Sequence, residues 1–206
     1  MNIHHYISAL LGLSLREMIK FSKQKGRLFS AIVRPALWLF VFAAGVGSAR
    51  GIDPGILNFY PTQNVNYFEY ITPGLLGMVL LFSGMQSSLS MVYDREMGSM
   101  KTMLVSPIPR WFLLTSKLLA GVFVSILQVY AFLLVASFWD IKPPLFGYLS
   151  LLPALILSGL MLGALGMFLS SAIKQLENFA GVMNFVIFPM FFASSALYPL
   201  WKIEET

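Results

Sequence analysis

Residues 111–139 read WFLLTSKLLAGVFVSILQVYAFLLVASFW, with Lys117 the one charge in the run. The hydrocarbon core of a bilayer, about 30 Å thick, takes roughly 20 mostly apolar residues per helix. This stretch is long enough to cross it with residues to spare. Barrel strands alternate apolar and polar positions, and Ala131 to Ala136 show no such alternation. The run reads as a transmembrane helix.

Working outward, four more segments meet the same test: about 28–49, 70–92, 145–173 and 178–197. The whole 206-residue chain is 57% hydrophobic and 11% charged, with mean hydropathy +0.75. Ordinary soluble domains carry about 25% charged residues, and a chain this short has too little interior to hide so much apolar surface. Soluble globular, disordered and nucleic-acid-binding classes are therefore excluded. The pI near 9.5 reflects basic loops beside a membrane. Cysteine is absent, which removes disulfides, thiolate metal sites and thiol nucleophiles. The expected fold is an all-α integral membrane protein: an N-terminal amphipathic interfacial helix (residues 1–27) followed by a five-span transmembrane domain (28–206).

Orientation follows from where Lys and Arg fall. Arg16, Lys20, Lys23, Lys25, Arg27 and Arg34 precede or open the first span, Arg95, Lys101, Arg110 and Lys117 lie at the second connection, and Lys174 lies at the fourth. Only Arg50, Lys142 and Lys202 fall on the other side. That asymmetry places the N-terminus and residues 93–110 and 174–177 in the cytoplasm, with 50–68 and 140–144 outside. The outer loops carry the interfacial aromatics Phe59, Tyr60, Tyr67, Phe68, Tyr70 and Trp139.

The first 25 residues are no signal peptide, because the basic cluster follows the apolar run. Wound as a helix, Ile3, Ile7, Leu10, Leu11 and Met18 share one face, and His5, Ser8, Gly12, Arg16 and Lys20 the opposite one. Such a helix lies in the cytoplasmic headgroup layer with its cations on lipid phosphates; a frayed basic tail is the alternative.

The segment Tyr93–Arg110 (YDREMGSMKTMLVSPIPR) mixes charges with Met97, Met100, Met103 and Leu104. Asp94 is placed to cap a short helix, and Ser106-Pro107-Ile108-Pro109 to stop it. Methionines on one side suit docking to a soluble partner. A solvated connector whose methionines touch the bilayer explains the same residues.

Asp94-Arg95-Glu96 followed by Gly98, then Leu104-Val105-Ser106-Pro107 and Lys117-Leu118-Leu119-Ala120-Gly121, resemble the permease subunits of type-two ATP-binding-cassette exporters. Tyr70-Ile71-Thr72-Pro73-Gly74 and Ser194-Ser195-Ala196-Leu197-Tyr198-Pro199-Leu200 extend the likeness over nearly the whole chain. Residues 86–100 look like the branch associated with bacterial alcohol oxidation that uses pyrroloquinoline quinone. The resemblance implies a permease homodimer in the bacterial inner membrane, assembled with cytoplasmic ATPase subunits that bind ATP and Mg. It also implies a coupling helix at that loop. Asp94, Arg95, Glu96 and Gly98 would be its polar contact, Met100 and Leu104 its apolar side, and Pro107 its turn. Members usually continue through a re-entrant segment and a sixth span, so a truncated record is expected at Thr206.

The spans carry packing features and no catalytic constellation. Gly159, Gly163, Gly166 and Ser170 leave a groove on the fourth span, suited to close helix approach. A contact within one subunit is preferred over a dimer seam. Lys117, Gly121, Ser125 and Gln128 share a face of the third span; Gln128, near mid-membrane, must face protein or water. It lines a pathway or makes an interhelical hydrogen bond. Glu177, Gly181 and Asn184 form a similar stripe on the fifth span, where Pro189 is expected to kink the helix. Adjacent His4 and His5 diverge by about 100° on a helix and make no metal pair. The chain has no G-x-x-x-x-G-K-[ST] motif and no intramembrane acid for a proton relay. It is expected to be a transporter subunit driven by a separate ATPase, and no enzyme; a non-transporting membrane anchor that recruits a cytoplasmic partner is the alternative.

Overall fold

The computed structural model describes residues 3–23, 35–41, 67–139, 144–173 and 175–194, with positions 26, 29 and 33 between the first two segments. Their main elements are α1 (Ile3–Lys23), α2 (Tyr67–Glu96), α3 (Ser99–Val105), α4 (Arg110–Ala136), α5 (Leu145–Ala172) and α6 (Leu176–Phe192). Residues 35–41 are also helical, and a 3-10 turn, Ser137–Trp139, extends α4. Strands are absent among the described residues. Prolines punctuate the helices: Pro107 holds Ser106 extended (φ −65°, ψ 148°), and Pro109 and Pro144 occupy the N-caps of α4 and α5. Pro73 and Pro153 lie within α2 and α5; membrane helices accept such residues because their neighbours restore the freed backbone bonds.

Among the described residues three helices, α2, α4 and α5, are long and apolar enough to cross a membrane. The 17-residue α6 sits at the short end of the spanning range of about 17–25 residues. The expected span 28–49 lies largely outside the described residues, as do residues 195–197 of the fifth. The helix α4, counting the 3-10 turn, and the helix α5 begin and end within a residue of the bounds expected for the third and fourth spans. The second does not stop at residue 92: α2 runs a further turn, through Glu96. The expectation of a loop at Tyr93–Glu96 is thereby corrected. The helix continues because Asp94 and Arg95 find partners on other elements and Glu96 remains exposed.

In the bundle α2 packs against α4, α5 and α6, and α5 also against α4. Leu75, Met78, Met85 and Val92 of α2 meet Val129 and Phe132 of α4, Leu155 and Leu162 of α5, and Phe179, Ile187 and Phe191 of α6 in one buried cluster. Outward, α5 exposes Phe146, Leu149, Leu157, Met161 and Phe168. So large an apolar belt marks an interaction surface for a membrane or another protein.

Small residues bring the helices close. A Cβ on Gly166 would stand 2.5 Å from Ser88 Oγ and 3.2 Å from Met85 Cα. Gly163 faces Leu118, Gly159 faces Val122, and Ser170 is buried with its hydroxyl 3.9 Å from Met91 Sδ. The stripe on α5 is thus filled by α2 and α4 of the same chain. Hydrogen bonds cross the same seams: Ser83 and Ser125 hydroxyls lie 2.7 Å apart, joining α2 to α4, and Tyr130 Oη donates to Tyr148 O at 2.8 Å, joining α4 to α5. Gln128 is buried on α4, whereas Asn184 is exposed on α6.

Candidate functional site

The informative loop joins α2 to α4 at the end of the bundle that α1 covers. Gly98 begins its short helix: φ is +73°, a left-handed conformation costing roughly 1–2 kcal/mol for a residue with a Cβ. Met97 N–H donates to Tyr93 O at 2.9 Å and Gly98 N–H to Arg95 O at 3.2 Å, closing α2. Lys101 N–H then donates to Gly98 O at 3.0 Å, opening α3. At the far end Ser106 Oγ donates to Met103 O at 2.7 Å, satisfying a carbonyl that the stopped helix leaves unpaired.

Asp94 does not cap α3. The N-cap is Gly98, with no side-chain hydrogen bond. Asp94 lies in the last turn of α2 with its side chain 1% exposed, in the midst of three cations. Arg16 grips it with both terminal nitrogens, Nη2 to Oδ1 at 2.9 Å and Nη1 to Oδ2 at 3.3 Å. Lys20 Nζ donates to Oδ1 at 2.7 Å, and Lys117 Nζ to Oδ2. Ser99 Oγ, in the first turn of α3, donates to Oδ1 at 3.2 Å. Glu17 stands beside the cluster: its Oε2 accepts from Ser90 Oγ at 2.9 Å. Its Oε1 has no hydrogen bond among the described residues but lies 3.6–4.0 Å from Arg16, Lys20 and Lys117. The hydrogen bond to Asp94, opposed by burial and aided by the Asp94 and Glu17 charges, raises the Arg16 pKa further above its ordinary value.

This arrangement leaves the apolar side of α1 outermost and draws Arg16 and Lys20, expected on lipid phosphates, onto a carboxylate of the protein. Ile7, Leu11, Leu15, Met18 and Ile19 form its exposed side, and Arg16 and Lys20 point into the protein. Amphipathicity identifies residues that share a face; the buried carboxylate decides which face turns inward. Arg95, implied by the resemblance as part of the polar contact, donates to Ser170 O at 3.0 Å and, more distantly, Ile173 O. Carbonyls at a helix C-terminus lack partners and carry partial negative charge, so the guanidinium caps α5.

What remains outward is Glu96, Met97 (62% exposed), Lys101, Thr102, Leu104, Val105 (86% exposed) and Pro107. Of the sequence-derived contact residues, Glu96, Leu104 and Pro107 share this surface. Met100 is half-buried, lining with Met91, Met103, Leu104, Leu113 and Leu114 an apolar cavity of about 270 Å³ flanked by Arg110 and Lys117. Met97 is among the docking methionines read from the sequence; sequence reasoning missed Val105 on the outer face, Glu17 behind it, and the pairing of Arg16 and Lys20 with Asp94. The available signal was Lys117, a lone charge in an apolar run that needed an acidic partner.

The family model for ABC-2 type transporters matches residues 8–206, the loop and its buried cluster included. The chain belongs to the ABC-2 type transporter family. Among curated relatives, the "Putative transport permease ycf38" of Cyanophora paradoxa is 28% identical over 198 residues, 95% of this chain and 66% of that protein. Its namesake from Porphyra purpurea is 25% identical over 201 residues, again 66% of its length. The "Probable multidrug ABC transporter permease YbhR" of Escherichia coli (strain K12) is 29% identical over 135 residues, 64% of this chain and 36% of that protein. The chain thus spans just under two thirds of the ycf38 relatives. No solved structure matches it. As an ABC-2 family member it carries, among its described residues, apolar helices long enough to cross a membrane.

Proposed function

We propose that this chain is the membrane-spanning permease subunit of an ATP-binding-cassette exporter and that α3 is its coupling helix. A separate cytoplasmic subunit would bind ATP and Mg and hydrolyse the nucleotide; two permease chains would pair in the bacterial inner membrane with their N-termini in the cytoplasm, residues 1–27 forming the interfacial helix and 28–206 the transmembrane domain. One observation carries the reading. The helix α3 is fixed from behind by Ser99 on Asp94, while Glu96, Met97, Leu104 and Val105 are left exposed in front. A carboxylate bordered by flexible and branched apolar side chains suits a groove on a soluble protein. The finer likeness of residues 86–100 to the branch associated with pyrroloquinoline-quinone alcohol oxidation supports that cellular context and leaves the cargo open. Differential affinity of ATP for inward- and outward-facing states would supply the work.

The test uses the complete permease–ATPase complex. Glu96→Ala and Val105→Asp should each abolish transport-linked ATP hydrolysis without lowering membrane abundance. A desolvated interfacial carboxylate losing its partner costs about 2–5 kcal/mol, enough to uncouple the subunits. Wild-type ATPase binding and transport in both variants would defeat the assignment; ATPase binding with no transport by the unaltered complex would leave the anchor reading.

A further inference from the structure

Four helices meet at the Asp94 carboxylate. It sits on α2 and accepts from Arg16 and Lys20 of α1, Ser99 of α3 and Lys117 of α4. Arg16 Nη1 also lies 3.7 Å from Met103 Sδ, so one guanidinium touches both the carboxylate and α3. The other end of α1 is held by an edge-on ring contact between Tyr6 and Phe112, with centroids 5.0 Å apart. Three cations here face two carboxylates, Asp94 and Glu17. Neutralising Asp94 would leave three cations against Glu17 alone, and mutual repulsion would push α1 outward.

We infer that Asp94 is a positioning residue that joins the coupling helix to α1, so that a displacement of α3 moves the interfacial helix together with the spans. Ser99 stands in the first turn of α3, and the same carboxylate that accepts its hydroxyl holds two residues of α1 one helical turn apart. A push on α3 therefore reaches Asp94 through Ser99 at 3.2 Å and passes to α1 through charge-assisted hydrogen bonds, which are shorter and stronger than neutral ones. The exposed apolar side of α1, Ile7 to Ile19, would carry that motion into the acyl boundary of the leaflet. The attachment stands on geometry alone; its mechanical use rests on α3 being the coupling helix.

Because the chain has no cysteine, Tyr6→Cys with Phe112→Cys provides a clean reporter for a short bis-maleimide in membranes containing the full chain. Asp94→Asn should reduce cross-linking several-fold. Adding Lys20→Gln, which restores the original excess of one positive charge, should recover most of it. Arg16→Gln with Lys20→Gln, leaving Asp94 paired to Lys117, should also reduce it, and keeps the test decisive if Asp94→Asn fails to accumulate. Unchanged cross-linking in the variants that accumulate would overturn the junction. In the complete complex, trapping nucleotide on the ATPase should alter the reporter's rate in the wild type and not in Asp94→Asn, while the ATPase still copurifies. A wild-type reporter indifferent to nucleotide, with the ATPase bound and hydrolysing, would overturn the moving-helix inference while leaving the coupling-helix assignment intact. Normal coupling in Glu96→Ala and Val105→Asp would overturn that assignment separately.

Discussion

Two alanine substitutions separate close helix packing from helix propensity. Alanine gains about 0.5–1 kcal/mol over glycine inside a helix, and Gly77→Ala on α2 should keep that gain, because its new methyl meets nothing within 4 Å. Gly166→Ala on α5 meets Ser88 Oγ at 2.5 Å, Ser88 Cβ at 3.1 Å and Met85 Cα at 3.2 Å. The hydroxyl can rotate away, losing its 3.4 Å bond to Gly163 O. Met85 Cα is backbone, so relief there requires α2 and α5 to separate. Overpacking of this kind costs about 1–3 kcal/mol. The two variants should therefore differ by roughly that amount, with Gly166→Ala the weaker. At about 2–4 °C per kcal/mol for a chain of this size, their midpoints should lie roughly 2–12 °C apart. The assay is thermal loss of the size-exclusion peak in detergent at a fixed heating rate. Adding Ser88→Gly should return part of the loss and no more, because Met85 remains. Equal midpoints for Gly77→Ala and Gly166→Ala would refute the α2–α5 contact, and dissociation of a dimer without lowered stability would move the stripe to a subunit seam.

Arg95→Ala removes the cap on α5 and should cost about 1–2 kcal/mol, given charged hydrogen bonds of about 1.5–3 kcal/mol at a partly exposed site; Arg95→Lys should retain part of it. Thermal midpoints in vesicles with and without anionic lipid check the cause, since a loss confined to anionic vesicles would assign Arg95 to lipid phosphates instead of the α5 carbonyls. Cysteine at Asn64 should react with an impermeant thiol reagent from outside whole cells, and cysteine at the exposed Thr102 should not; the reverse pattern would invert the topology drawn from the cation asymmetry.

The long apolar helices α2, α4 and α5 were legible because hydropathy is a local quantity. Thirty or so consecutive side chains declare their solvent without reference to the rest of the fold, and the ends of α4 and α5 fall where the charges and prolines put them. The loop was half legible for the same reason: Gly98 and the Ser106-Pro107 pair act on the backbone beside them, so a short helix between them follows from adjacent residues. Asp94 was illegible because its partners Arg16, Lys20 and Lys117 lie 78, 74 and 23 residues away. Beside Arg95 and Glu96 it reads as part of a solvated, charged tract that ends a span. In the fold each member of that tripeptide goes elsewhere: Asp94 into the cation cluster, Arg95 onto the carbonyls of α5, and Glu96 outward. Successive helical residues point about 100° apart, so a run of three charges on a helix wedged between others must divide its roles among three neighbours. The resemblance that assigned all three to one partner surface treated the motif as a unit. Helical geometry divides it, leaving Glu96 to face outward while Asp94 ties α3 and α1 to α2 and Arg95 ties α2 to the end of α5.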